Sequence, residues 1–244
     1  MIDKDPSSDI IRILMQNSSK TVLAAYLAGK PIQTALDAPS GDGWLLKALN
    51  SSAQVDGIDL YEGGGAGYRH FWKHDLDRGL PAECSMYDAV LLCEGLEHVG
   101  NPLLLLRDAH AHLNPGGLMV VTTPSVWYPQ ARLQYLYKGF FPSFPPLAGQ
   151  VVPGTHMHIT PWNFPQLWTY LKLAGFEKIE MLPEPELTGK HLHERLMAWP
   201  ERWWCQHRKN KSKTAEEKEY WTICTSDTAL LGRHMIVVAR KQAA

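Results

Sequence analysis

Short runs of consecutive apolar residues recur along this chain, separated by stretches in which apolar positions return every three or four residues. "IQTALDA" at 32–38, "VDGIDL" at 55–60, "YDAVLLC" at 87–93 and "LMVVTTP" at 118–124 are runs of the first kind. Each is too short for a helix and largely apolar, the pattern of a strand covered on both faces. "EKIEML" at 177–182 and "RHMIVVAR" at 233–240 add two near the end, and another short strand precedes "KHDLD" at 73–77. The intervening "GWLLKALN" at 43–50, "PLLLLRDAHAHL" at 102–113 and "TPWNFPQLWTYLKLAGF" at 160–176 carry helical spacing. In the last, Leu167, Tyr170, Leu171 and Ala174 share a face that closes at Gly175, and Pro161 suits the first turn. "NPGG" at 114–117 reads as the breaker that stops the preceding helix. Strands alternating with helices at this spacing predict an α/β fold around a parallel sheet.

Three regions depart from that rhythm. Residues 1–30 read as a helical segment: Asp5, Ser7 or Ser8 can cap "DPSSDIIRILMQ", and "SKTVLAAYLAG" ends at Gly29. Residues 125–160 are dense in aromatics and prolines, without a clean period, and suit a lid over an acceptor site. Residues 184–226 form a second insertion, polar and rich in tryptophan. A single domain over 1–244 accommodates all of them.

Composition narrows the function classes. A net charge of −1 gives no field for nucleic acid, and the local run "RKNKSK" at 208–213 reads as a solvated loop. The four cysteines form no Cys-x-x-Cys pair, so reduced thiols in a cytoplasmic protein are expected. The acidic, polar opening "MIDKDPSSDI" does not read as a signal peptide, and no apolar run approaches the roughly 20 residues that span a bilayer.

The chemistry concentrates in "ALDAPSGDGW" at 35–44, a strand running into a glycine loop. Gly41 and Gly43 let a ligand approach the backbone. No Lys–Ser/Thr pair follows, which excludes a nucleoside-triphosphate loop. Asp37, at the end of the strand, would repel a pyrophosphate and suits a ligand carrying positive charge. Pro39 removes an N–H donor, tolerable where the loop wraps a ligand without binding phosphate. Asp59 ends the next strand 22 residues on, placed to accept from both ribose hydroxyls, and Asp75 follows the third strand within reach of an adenine edge. Three acids at successive strand ends describe a nucleoside with a cationic tail.

These segments resemble the class I S-adenosylmethionine-dependent methyltransferases. The family's Asp-x-Gly-x-Gly-x-Gly loop is similar to Asp37-Ala38-Pro39-Ser40-Gly41-Asp42-Gly43, with Pro39 at the first glycine. "YDAVLLCEGLEHVGNP" resembles the fourth-strand segment and "HLNPGGLMVVTTP" the approach to strand five. The resemblance covers about 30–180 and the final strand. It implies a Rossmann-like three-layer sandwich whose seven-stranded, mostly parallel sheet has an antiparallel last strand. It implies S-adenosylmethionine as cofactor and S-adenosylhomocysteine as product. The implied cofactor site is Asp37, Ala38, Pro39, Gly41, Gly43, Asp59, Leu60, Asp75, Leu76 and Glu94.

Where the acceptor is a hydroxyl, methyl transfer calls for a base. His98, in "EGLEHV", and His156, in "GTHMHIT", are the candidates. His156 and His158 are spaced to face the same way in an extended segment, as metal ligands can, but no nearby carboxylate is evident and no metal is expected. Trp127, Tyr128, Arg132 and His158 are candidates for binding the acceptor, because rings interleaved with cations suit stacking on sugars or sitting at a lipid interface. By family analogy the expected acceptor is a sugar hydroxyl of a bacterial surface polysaccharide or lipopolysaccharide. The alternatives are a quinone-precursor phenol or other small metabolite, and a non-catalytic cofactor-binding protein. The expected location is cytoplasmic, with peripheral contact at the inner membrane face.

Overall fold

The strand register explains why the acids gather at one edge of this protein. The structure, a computed structural model, describes residues 18–49, 52–62, 66–183, 187 and 192–243. The helix expected at 5–16 and positions 184–186 and 188–191 of the second insertion lie outside the described residues.

Seven strands form one sheet in the order β3-β2-β1-β4-β5-β7-β6. They are β1 (Thr34–Asp37), β2 (Gln54–Asp59), β3 (Phe71–Lys73), β4 (Tyr87–Cys93), β5 (Leu113–Pro124), β6 (Glu177–Met181) and β7 (His234–Arg240). Every pairing is parallel except the two that β7 makes, with β5 and β6. The antiparallel last strand is as the sequence led us to expect.

Side chains alternate between two cores, the signature of a sheet covered on both faces. Leu36, Val90, Leu92, Met119 and Val237 face one way and Ala35, Leu91, Val120 and Ile236 the other. The first face is covered by α3 (Pro102–Ala111) and α5 (Phe164–Leu173), which contribute Leu105, Leu106, Leu167 and Leu171. The second is covered by α1 (Ser18–Ala28) and α2 (Trp44–Ala48), through Leu23, Leu27 and Leu45. Burying each such side chain is worth about 1.5–3 kcal/mol.

Two local expectations shift. Helix α5 starts at Phe164, later than Pro161 suggests, because the Asn163 side chain accepts from Gln166 N at 2.8 Å and puts Pro165 in the first turn. "NPGG" does not end α3, which stops at Ala111. It forms the irregular start of β5, where the register moves from Tyr87↔Leu113 to Ala89↔Leu118.

The aromatic segment after β5 contains α4 (Pro129–Lys138), and the second insertion folds as α6 (Leu192–Asn210) and α7 (Ala215–Cys224), followed by α8 (Asp227–Leu231). A complete capping box starts α7, with Thr214 and Glu217 each bonding the other's backbone N–H.

Candidate active site

The first strand–helix loop is anchored at both ends by backbone bonds. Ala38 N donates to Leu91 O at 3.0 Å and Ser40 N to Ile58 O at 2.8 Å, so the loop is tied to β4 and β2 together. Gly41 (φ +51°) faces open space, a conformation that costs glycine nothing. Pro39 lies across Gly95, where a Cβ would come within 2.2 Å of the proline ring. The residue that departs from the glycine pattern therefore packs the loop onto the segment after β4.

The three acids sit in different environments. Asp37 is 1% exposed. Its Oδ2 accepts from the Tyr68 hydroxyl at 2.6 Å, and its Oδ1 is buried without a partner. Tyr68 reaches it by lying over Gly57, where any Cβ would strike the ring. Burial pushes the Asp37 carboxyl up to about 8, against the lowering pull of the Tyr68 bond. Asp59 is 5% exposed and accepts from Gly41 N at 2.9 Å and Tyr61 N at 3.0 Å. Asp75 is half-buried and caps the 3-10 turn Leu76–Arg78 by accepting from Asp77 N.

Two adjoining chambers lie over these strand ends. One of about 220 Å³ is walled by the glycine loop, Asp59, Cys93, Glu94, Thr122 and His156, and closed by Lys20 and Leu23 of α1. The other, about 210 Å³, is walled by Leu60, Asp75, Leu76, Gly95, His98 and the segment 153–157. Pro39 and His156 belong to both. Asp37 touches neither and lies beneath the loop. Glu94 stands at the rim with φ +51°, an uncommon conformation for a side-chain-bearing residue. Thr122 holds it there, its hydroxyl donating to Glu94 Oε1 at 2.9 Å and its carbonyl accepting from Glu94 N at 2.9 Å.

A row of rings crosses the lid. Tyr61 meets His156 at 4.9 Å between centroids, His156 meets His98 at 5.0 Å, His98 meets His158 at 4.6 Å, and His158 meets Phe144 at 5.3 Å. Burial, with His158 beside it, lowers His98 to about 4, so its imidazole is neutral at physiological pH. Ile159 N and Thr160 N both donate to Glu97 O, tying the lid to the turn Leu96–His98.

Several sequence expectations change on this geometry. Tyr128 is buried under the Arg233 guanidinium. Arg132 pairs with Glu201 and donates to Met197 O at 3.2 Å, and Trp127 packs on the core. Neither chamber is lined by any of the three: Trp127 and Tyr128 are used in packing, and Arg132 docks α4 on α6. The carboxylate found lacking near the histidines is Glu97, 1% exposed beside His98 and His158. The adjacent Glu-His pair was the sequence signal for it. Lys20, Trp44 and Tyr68 also belong to the site, and only α1's packing over the loop reveals the first.

The donor set fits S-adenosylmethionine: open glycine backbone, a carboxylate at each of three strand ends, a buried unpaired carboxylate oxygen beneath the loop, and two adjoining chambers over those strand ends. A sequence profile described as "Methyltransferase domain" matches residues 11–181. The "Ubiquinone biosynthesis O-methyltransferase" of Pseudomonas paraeruginosa is 32% identical over 113 residues, 41% of this chain and 46% of that protein. The chain thus spans less than half the length of the curated relatives it matches. Among solved structures, a SAM-dependent methyltransferase from Archaeoglobus fulgidus superposes with a TM-score of 0.57 at 15% identity, covering 93% of each chain. The (4+2)-cyclase SpnF superposes at 0.51 with 19% identity, covering 94% of this chain and 82% of its own. At these identities the structures share the fold alone, and the cyclase shows that the fold does not dictate the reaction.

Proposed function

The chain belongs to the methyltransferase domain family and uses S-adenosylmethionine, and on that premise we propose that it methylates the hydroxyl of a small phenolic acceptor. The observation that carries this reading is the match to the ubiquinone biosynthesis O-methyltransferases, whose names specify transfer to oxygen. The glycan alternative has less behind it: Trp127 and Tyr128, the rings that would stack on a sugar, serve packing instead.

The cofactor supplies an electrophilic methyl group on a sulfonium. Asp59 and Asp75 are the acids we assign to the ribose and the adenine edge, each with free lone pairs beyond its backbone bonds. Asp37, protonated while the site is without cofactor, supplies negative charge beneath the loop when it ionises on binding. His156 is the better base of the two candidates, because it borders both chambers and is exposed, whereas His98 is sunk and weakly basic. Its ring, edged by Tyr61, takes the acceptor's hydroxyl proton at a nitrogen as the oxygen is methylated. Holding acceptor and methyl donor in line is the work of the lid that Glu97 O fastens.

Exposed apolar faces favour an acceptor that resides at a lipid surface. Leu136 and Tyr137 of α4 are 76% and 78% exposed, and Leu192 and Trp199 of α6 are 74% and 62% exposed. Basic residues at 208–213 run from the last turn of α6 past its end, which suits anionic headgroups.

The test is transfer of labelled methyl from S-adenosylmethionine to an alkyl-substituted catechol, alongside a bacterial lipopolysaccharide fraction. Labelling of the catechol is expected. At saturating cofactor, His156→Ala should lower kcat at least tenfold, about 1.4 kcal/mol of barrier. Labelling of the polysaccharide alone, or an unimpaired His156→Ala, contradicts the reading.

A further inference from the structure

Behind the second chamber, the turn after β4 and the lid segment bring three further donors together. One ligand atom from each of Glu97, His98 and His158 lies within 4.8 Å of the other two. The carboxylate is held from one side only among side chains, and each imidazole leaves one nitrogen unpaired. Glu97 Oε2 accepts from the Thr123 hydroxyl at 3.0 Å, while Oε1 stands 3.9 Å from His98 Nε2, too far for a hydrogen bond. His98 Nδ1 and His158 Nδ1 are buried with no hydrogen-bond partner. Burying a polar atom without a partner is costly, and two imidazoles that each bury one, gathered with one sunken carboxylate, point to a shared partner.

We propose that Glu97, His98 and His158 bind a divalent first-row transition metal ion, such as zinc, manganese or iron(II). Two imidazoles and one carboxylate suit those ions, whereas magnesium and calcium prefer oxygen ligands throughout. Thr123 holds the carboxylate from behind, as groups outside a coordination sphere do. The ion links the lid, through His158, to the sheet edge, through Glu97 and His98. Three protein ligands leave coordination positions open, and His98 borders the second chamber. An acceptor's oxygen atoms can complete the sphere there, a role that rests on the phenolic reading above, while metal binding itself does not.

The test is titration of the full, metal-stripped chain with cobalt(II), followed by visible absorption, with neither cofactor nor acceptor in the cuvette. One cobalt per chain is expected. Glu97→Gln and His158→Ala should each weaken binding at least tenfold, and His207→Ala on α6 should leave it unchanged. His158→Cys retains a ligand, so it should keep binding and add a sulfur-to-cobalt charge-transfer band, which separates ligation from misfolding. No binding at millimolar cobalt overturns the proposal. So do wild-type-like binding by Glu97→Gln and His158→Ala, and a His158→Cys spectrum without that band. Because methyl transfer is not measured, the metal site and the catalytic reading can fail separately.

Discussion

The carboxyl edge of the sheet and the helices added after β5 and β6 solve opposite problems. At the edge, polar groups are driven inward: Asp37, Asp59 and Glu97 are each at most 5% exposed, and Asp37 lacks a partner for one oxygen. In α4 and α6 apolar groups are driven outward, with Leu136 and Leu192 each about three-quarters exposed. The edge gives up stability to hold charge where a ligand needs it, as strained and unsatisfied groups at functional sites do. The added helices are secured by local devices instead, the α7 capping box and the Arg202–Asp227 pair, and leave apolar surface exposed.

The largest expected difference between the two regions is in pH dependence. The folded-state carboxyl of Asp37 is raised to about 8, so its contribution to stability is complete below the unfolded carboxylate range and is lost as pH rises towards 8. The ligand-free protein should therefore lose stability on the order of a few kcal/mol between about pH 5 and pH 8 from this group. Asp37→Asn should flatten that slope in denaturant melts. An unchanged slope would mean that the buried acid is not protonated.

Next in size is the Pro39–Gly95 contact. Gly95→Ala forces its methyl into the proline ring, and overpacking of this kind costs about 1–3 kcal/mol. Cofactor affinity should fall at least tenfold, and Pro39→Ala combined with Gly95→Ala should recover most of it. Additive losses in the double variant would mean that the two residues do not touch.

The smallest effect is expected on the exposed helices. Trp199→Ser should change stability by less than about 0.5 kcal/mol, since most of the side chain lies at the surface. The same change should reduce co-sedimentation with phosphatidylglycerol vesicles. Undiminished sedimentation would remove α6 from any lipid contact.

The two regions also differ in how far the sequence foretold them. A parallel sheet follows from the apolar runs and the antiparallel β7 from the family resemblance, and Asp37, Asp59 and Asp75 could be named because strand ends are predictable from those runs. Tyr68 could not, since its role depends on Gly57 lying beside Asp37 across the β1–β2 register. Glu97 stood next to a suspected histidine, but its burial and its distance to His158 are tertiary facts. Within 125–160 the chambers are not lined by Trp127, Tyr128 or Arg132, because aromatic density alone does not separate a ligand wall from the seam where Tyr128 and Arg132 join the segment to its neighbours.

Titration calorimetry of the folded protein with S-adenosylmethionine near pH 7, in buffers of different ionisation enthalpy, tests the central claim most directly. If the acids at the strand ends hold this cation, wild type binds and releases a proton as Asp37 ionises. Asp37→Asn should then bind without that release, and Asp59→Asn at least tenfold more weakly. Binding that releases no proton and is indifferent to Asp59→Asn would contradict it.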